Sequence, residues 1–326
     1  TYTMSLPKPW ILSNNLNARD GIRVDWRPTG ELSLTPLDVI EGHKTVVKLN
    51  LDQIPKAALY DHLMGAYLSG VQEISIQSES PLTRNSRNDI RRFLRSTRGF
   101  EIGQETDSNV HLISLLNAGE LPLHASLNRM YLLFSSMIRD IYEVLIGSDN
   151  DLISDFEERE READGLHYLI ERQVGSMLDS QHVARSLGLS RKEGVEHANL
   201  ARSLERMMDH AHEMARLTLE TTPRPRLKQD EYPLSLLPVC MEALKSLMIN
   251  LRVHDSYQIE DARDSLKAAQ IALTEHEERL WSGRRQASRL LFEDRISDSI
   301  RRICAYYRYF GEILLNMIAY DSIERQ

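Results

Sequence analysis

Beyond Pro122 the chain keeps one rhythm. Apolar residues recur three and four apart, as in Leu200, Leu204, Met207, Ala211 and Met214, a spacing that stacks them on one face of an α-helix. The pattern predicts helices over Pro122–Ile146, Asp149–Leu178, Lys192–Thr221, Pro233–Val253, Tyr257–Leu280 and Ser282–Ile323. A helix of 25 residues is about 38 Å long, and antiparallel packing is the natural way to bury so long a stripe. Thr222–Gln229, rich in Pro, Arg and Lys, reads as a linker between a three-helix bundle over 122–222 and a second over 230–323. The two look like a degenerate repeat. Pro122-Leu123 recurs as Pro233-Leu234, Met137 at the same offset as Met248, and Leu204–Met207 at a shorter offset as Ile300–Ile303.

Ahead of the helices the period changes. Over 43–115, strand-like runs at Thr45–Leu49, Val71–Gln77, Phe100–Glu105 and Val110–Ser114 alternate with helical runs at Pro55–Ser69 and Pro81–Arg98, the pattern of a βαβ-type module. Over 1–37, alternation at Tyr2–Leu6 and Ile22–Trp26, a turn at Asp20-Gly21, and Pro28-Thr29-Gly30 before Leu32–Leu34 predict a small β unit. The expected fold is mainly α, with β and α/β parts at the N-terminal side.

Length supports several units, since 326 residues exceed one ordinary core. The net charge of -8 excludes a nucleic-acid binder over its whole surface, so any DNA contact needs a local basic patch. No secretory signal opens the chain, and apolar runs such as Met130–Met137 fall short of a membrane span, so a cytoplasmic, non-integral protein is expected. The chain opens at Thr1 within a strand-like run, and a short preceding piece is expected. The two cysteines, Cys240 and Cys304, sit in apolar surroundings without a C-x-x-C pair and read as buried thiols of a reducing compartment.

One spacing carries chemistry. Glu160, Asp164 and His167 lie at i, i+4 and i+7 of one predicted helix, and Glu205, Asp209 and His212 repeat this on the next. Residues so spaced share a helix face. If the two faces meet, four carboxylates and two imidazoles converge, and a cation relieves their repulsion and lost hydration. The alternative is a solvated acidic face, because Glu157, Glu158 and Glu162 are interleaved with Arg159 and Arg161. His210 is a further candidate.

Glu160-Arg161-Glu162-Ala163-Asp164-Gly165-Leu166 and Leu204-Glu205-Arg206-Met207-Met208-Asp209-His210-Ala211 resemble the two E-x-x-x-D helix signatures of PhoU proteins. The resemblance implies tandem three-helix bundles, metal ligation by Glu160, Asp164, Glu205 and Asp209, and restraint of phosphate transport and phosphate-starvation signalling. His167 and His212 enter by spacing alone. Iron, manganese, zinc and magnesium all fit the implied metal. In the second bundle Arg301 and Ala305 stand where Glu and Asp are expected. Glu260 and Asp264 keep the spacing there, in a register the sequence does not fix.

The N-terminal run from Thr1 through Trp10, with Leu16, Asp20-Gly21-Ile22-Arg23-Val24 and Gly30-Glu31-Leu32, is similar to the AbrB/SpoVT swapped-hairpin DNA-binding domain. That similarity implies a homodimer touching promoter DNA through Lys8, Arg19, Arg23 and Arg27, which Asp20, Asp25 and Glu31 offset in charge. Archaeal PhoU-like regulators carry such a domain ahead of their bundles. A second basic feature stands outside either resemblance. Arg84, Arg87, Arg91, Arg95 and Arg98 fall on one face of the Pro81–Arg98 helix, with Arg92 beside them and Asp89 the one acid among them. It is either a solvated face or a surface for DNA phosphate or an acidic protein.

No Gly-rich phosphate loop, G-x-S-x-G or H-E-x-x-H competes, so a binding protein rather than an enzyme is expected. The function implied is regulation of phosphate uptake through contacts with transporter components or a sensor protein. One alternative is an AbrB-type transcription regulator whose bundles serve as sensor or dimer platform. Another is a metal-dependent enzyme in the first bundle.

Overall fold

The computed structural model describes residues 3–26, 30–37, 45–55, 57–117, 119–282 and 287–322. The chain is mostly helical, with its sheets on the N-terminal side.

The first element is a helix, α1 (Lys8–Ser13), and residues 3–7 form no strand. The strand expected at Tyr2–Leu6 is therefore corrected, with Tyr2 itself outside the described residues. The cause lies in Pro7 and Pro9, whose rings fix φ near the helical value and supply no N–H, which suits a first helical turn and not a strand ladder. The expected hairpin forms next: β1 (Ile22–Trp26) pairs antiparallel with β2 (Leu32–Pro36), Val24 opposite Leu34. Of the turn, Pro28 and Thr29 lie outside the described residues, and Gly30 takes a left-handed φ of 87°.

The α/β module follows the predicted order. Strand β3 (Val46–Asn50) runs parallel to β4 (Glu73–Gln77), with helix α2 (Leu59–Leu68) as the crossover. Helix α3 (Arg84–Ser96), capped by the Thr83 side chain, leads into the hairpin of β5 (Phe100–Glu105) and β6 (Asn109–Ser114). The sheet order is β3-β4-β6-β5. Its core holds Leu63, Tyr67, Ile74, Ile76, Phe93 and Leu112. Tyr67, Phe93 and Phe100 meet edge to face, a favoured aromatic arrangement.

The long helices are α4 (Leu123–Ile146), α5 (Phe156–Asp179), α7 (Arg191–Glu220), α8 (Leu237–Val253), α9 (Ser256–Ser282) and α10 (Ala287–Asp321). The predicted Asp149–Leu178 helix is broken at its start. The Asp149 side chain accepts from the Asp151 N–H at 3.0 Å and caps a 3-10 turn over Asn150–Ile153, so α5 begins only at Phe156. A short helix, α6 (Gln181–Leu187), lies between Ser180, which caps it, and Gly188, whose left-handed φ ends it. Helix α7 opens on a reciprocal capping box between Ser190 and Glu193. Of the predicted last helix, Ser282 belongs to α9, and residues 283–286 and Ile323 lie outside the described residues.

The two sets of long helices share one apolar core. Phe134, Met137, Leu204, Met207, Leu244, Tyr307 and Phe310 all belong to it. Helix α7 packs on α4 and α5 and also along α10, while α4 touches α8. Leu227 of the linker is buried in that core, its N–H donating to the Leu145 carbonyl. One stretch, Leu234–Val253, is long and apolar enough to cross a membrane by length and composition. Here it forms α8 and packs against α9 and α10, burying Leu237, Leu244 and Leu247.

The α/β module docks on α5. Arg172 is 5% exposed, and its guanidinium donates to the carbonyls of Tyr67 and Val71, each at 2.6 Å. Tyr67 lies in the last turn of α2, where a positive charge is favoured, and its carbonyl also accepts from the Gly70 N–H at 3.0 Å; Val71 follows just past the helix end. A Cβ on Gly175 would stand 3.1 Å from the Leu68 carbonyl, so a larger residue there would push α2 back by a few tenths of an ångström. Gly70, at φ 79°, turns the chain out of α2 against Ser176.

Candidate metal centre

The α5–α7 seam brings the two acidic sets together. Both helices expose the seam face only partly, because apolar neighbours such as Ala163, Leu204 and Met208 are buried beside it. Asp164 carries the largest consequence. Burial, then the charges of Glu160, Glu205 and Asp209, push its carboxyl up to about 7. Burial likewise raises Glu160, with Asp209 and Glu157 adding to it and the ring of His212 opposing. Glu205 is raised by burial and by Asp209. Carboxylates that raise one another in this way lie near enough for their charges to interact.

Partners within the seam satisfy this set only in part. Arg206 lies 3.4 Å from Glu205 Oε2 and donates to Asp209 Oδ2 at 3.0 Å, but it is exposed. Glu205 Oε2 is buried and accepts no hydrogen bond. His167, buried at the edge, has neither ring nitrogen in a hydrogen bond; its Nε2 stands 3.3 Å from Glu171 Oε1, an ion-pair distance without hydrogen-bond alignment. His212 lies against Phe156, ring centroids 4.8 Å apart. His210 turns away and stacks on Tyr306 of α10, 5.8 Å between centroids.

Two residues absent from the sequence reading complete the seam. Glu171 extends the α5 face one turn past His167. His167 and Arg202, the latter at 2.6 Å, hold its carboxyl down at about 2. Its place at i+4 from His167 was the signal that could have found it. Tyr168 sits between Asp164 and Tyr60 of the α/β module, and burial raises it to about 12.

Two observations bear on whether a cation suits this set. Hard, mutually repelling oxygens with one buried orphan, bordered by imidazoles, are donors appropriate to a divalent ion. Among the described residues, no three His, Cys, Asp or Glu side chains are drawn close enough to hold one. The donors fit in kind, while their side chains are splayed apart.

The second helical set differs. Arg301, at the place the repeat equates with Glu205, donates to Glu277 Oε1 and Oε2 at 3.1 and 3.0 Å and pairs with Asp298. A guanidinium already balances the carboxylates there. Glu260 is engaged by Arg263 at 2.7 Å.

The arginine helix divides into two groups. Arg87 is pinned to Glu105 and to the carbonyls of Thr106 and Asp107, so it fixes the β5–β6 turn. Arg92 lies over the Tyr60 ring at 4.0 Å, and Arg98 reaches Glu162 of α5 at 4.0 Å. Arg84, Arg91 and Arg95 are exposed and pair with nothing among the described residues. On the N-terminal unit, Lys8 and Arg19 are exposed, Arg23 is half-buried with Nη1 enclosed, and Arg27 lies outside the described residues. Asp25 is buried and paired with Arg185 of α6, which ties the hairpin to the first bundle.

Residues 127–218 match the family model described as PhoU domain. That segment contains Glu160, Asp164, His167, Glu205, Asp209 and His212. A search of curated proteins gives no match.

Proposed function

We propose that the chain regulates phosphate uptake and phosphate homeostasis as a PhoU-type protein, acting by binding and not by turnover. One observation carries the reading: the segment that matches the PhoU domain is the segment in which two acidic helix faces meet. A chance solvated face would leave its carboxylates hydrated. Here Glu160, Asp164 and Glu205 are each raised by burial, and Asp164 holds a proton near neutrality.

Glu160, Asp164, Glu205 and Asp209 would hold the cation, with His167 and His212 at its border. When bound, a divalent ion supplies the positive charge that this seam lacks. The residues do the rest. With a cation there, Asp164 would give up its proton, and Glu205 Oε2, buried without a hydrogen bond, would gain a partner across the α5–α7 seam. Because α5 also carries the α/β module through Arg172, Gly175 and Tyr168, a change at the seam is felt by that module. Components of the phosphate transporter system, or a sensor protein coupled to it, are the partners this reading assigns.

Two measurements test the proposal. Removing the protein should raise phosphate-transporter transcript and phosphate accumulation when phosphate is plentiful; parental levels of both would contradict it. Protein prepared without chelator should carry iron, manganese, zinc or magnesium, and a Glu205→Ala, Asp209→Ala variant should carry far less.

A further inference from the structure

The chain's two cysteines lie 64 residues apart in sequence, yet their sulfurs meet. Cys240 on α8 and Cys304 on α10 approach to 3.0 Å between Sγ atoms, and both are 0% exposed. The contact sits deep in the shared core. Tyr307, fully buried, is one helical turn from Cys304 and donates to Met241 Sδ at 3.6 Å. A pair of thiols in a core is common, but such pairs seldom face each other. Here the helices that carry them already hold each sulfur against the other, about 1 Å beyond the length of a disulfide bond.

We infer that Cys240 and Cys304 form an intramolecular disulfide that staples α8 to α10. The reaction balances with an ordinary thiol oxidant such as oxidised glutathione. Each protein thiol gives up one proton and one electron, an S–S bond forms between Cys240 and Cys304, and the glutathione disulfide is reduced to two thiols. It proceeds by exchange through a mixed disulfide. The attacking species is a thiolate, and the hydrogen bond that the Cys304 thiol makes with Cys240, together with burial, holds that thiol well above its ordinary value. In the folded chain the exchange is therefore slow, and it runs during folding or when α8 and α10 part transiently. Once formed, the bond is shielded from reductant by the same core. It closes a loop that spans α9, and loops of this length gain most from closure.

The test uses the full chain refolded from denaturant with oxidised glutathione or with excess reductant, then alkylated under denaturing conditions. The inference expects no alkylation of the oxidised chain and two alkylated thiols in the reduced one. It also expects a peptide in which Cys240 is bonded to Cys304, and no covalent dimer. The oxidised form should unfold about 5 °C or more above the reduced form. Cys304→Ala should abolish that difference without lowering the reduced form's midpoint by as much as 5 °C. Two alkylatable thiols after oxidative refolding would overturn the inference, as would glutathione adducts on each cysteine or disulfides between chains. Because wild-type protein carries the alkylation readout, poor folding of the variant leaves the test intact.

Discussion

Arg172 of α5 and Tyr67 of α2 are joined by a 2.6 Å hydrogen bond from the guanidinium to the main-chain carbonyl, at a depth where the arginine is nearly lost to solvent. Among the described residues, no carboxylate pairs with that charge. The carbonyls of Tyr67 and Val71 do so, with the faces of the Tyr67 and Phe100 rings 4.9 and 5.1 Å away. The module that carries the arginine helix is thereby fixed to the helix that carries Glu160 and Asp164.

Arg172→Met should weaken this joint. The Val71 carbonyl would lose its Arg172 donor, and the Tyr67 carbonyl would keep only the Gly70 N–H, at a cost of about 2 kcal/mol. Denaturant unfolding should show the loss, and hydrogen exchange should rise first around Val71, not in the bundle core. Unchanged protection there would mean that the arginine is not what holds the module.

The acidic seam predicts a pH dependence of known sign. A carboxyl raised in the folded state holds its proton more tightly when native. Its contribution to stability is complete below the unfolded value and is lost as pH rises through the folded one. Asp164, raised to about 7, and Glu160 and Glu205, raised in the same direction, should cost the chelated protein stability from about pH 4 to about pH 7. Glu171, held at about 2, acts with the opposite sign, and only below that window. Thermal midpoints recorded in chelator should fall less across it for Asp164→Asn than for wild type. Parallel curves would show that Asp164 is not desolvated.

Arg91 and Arg95 are the arginines placed to meet an anionic partner, since Arg87 is committed to the β5–β6 turn. Arg91→Glu with Arg95→Glu should weaken binding to duplex DNA from a transporter promoter and make its salt slope shallower by about 2. Arg87→Glu should instead lower stability by about 1 kcal/mol. Equal DNA affinity in wild type and the Arg91/Arg95 variant would return that face to solvent.

Much of this architecture was legible because period and burial agree. Leu200, Leu204, Met207, Ala211 and Met214, spaced three and four apart, are all at most 1% exposed. The juxtaposition of Glu160 and Asp164 with Glu205 and Asp209 was legible for a related reason: equal spacings on adjacent antiparallel helices leave few ways to pack. What escaped depends on contacts between distant segments. Arg172 is a lone basic residue in an apolar stretch, and its meaning comes from carbonyls 105 and 101 residues upstream. Local polar competition hid the break before α5, where Asp149 bonds the backbone two residues on. The N-terminal run was misread because alternation over so few residues counts for less than two prolines. Arg87, one of five on a regular face, was indistinguishable by spacing from Arg91, although Glu105 and the carbonyls of Thr106 and Asp107 engage it.

On the function proposed above, the α5–α7 carboxylates are the working site of a phosphate-uptake regulator. The most direct measurement is phosphate accumulation at high external phosphate in a deletion strain. The strain is complemented either with the wild-type chain or with the Glu205→Ala, Asp209→Ala variant, expressed to equal level and equally folded. Wild type should restore parental accumulation, and the variant should leave it raised while losing its bound metal. Full restoration by the metal-free variant would contradict the account.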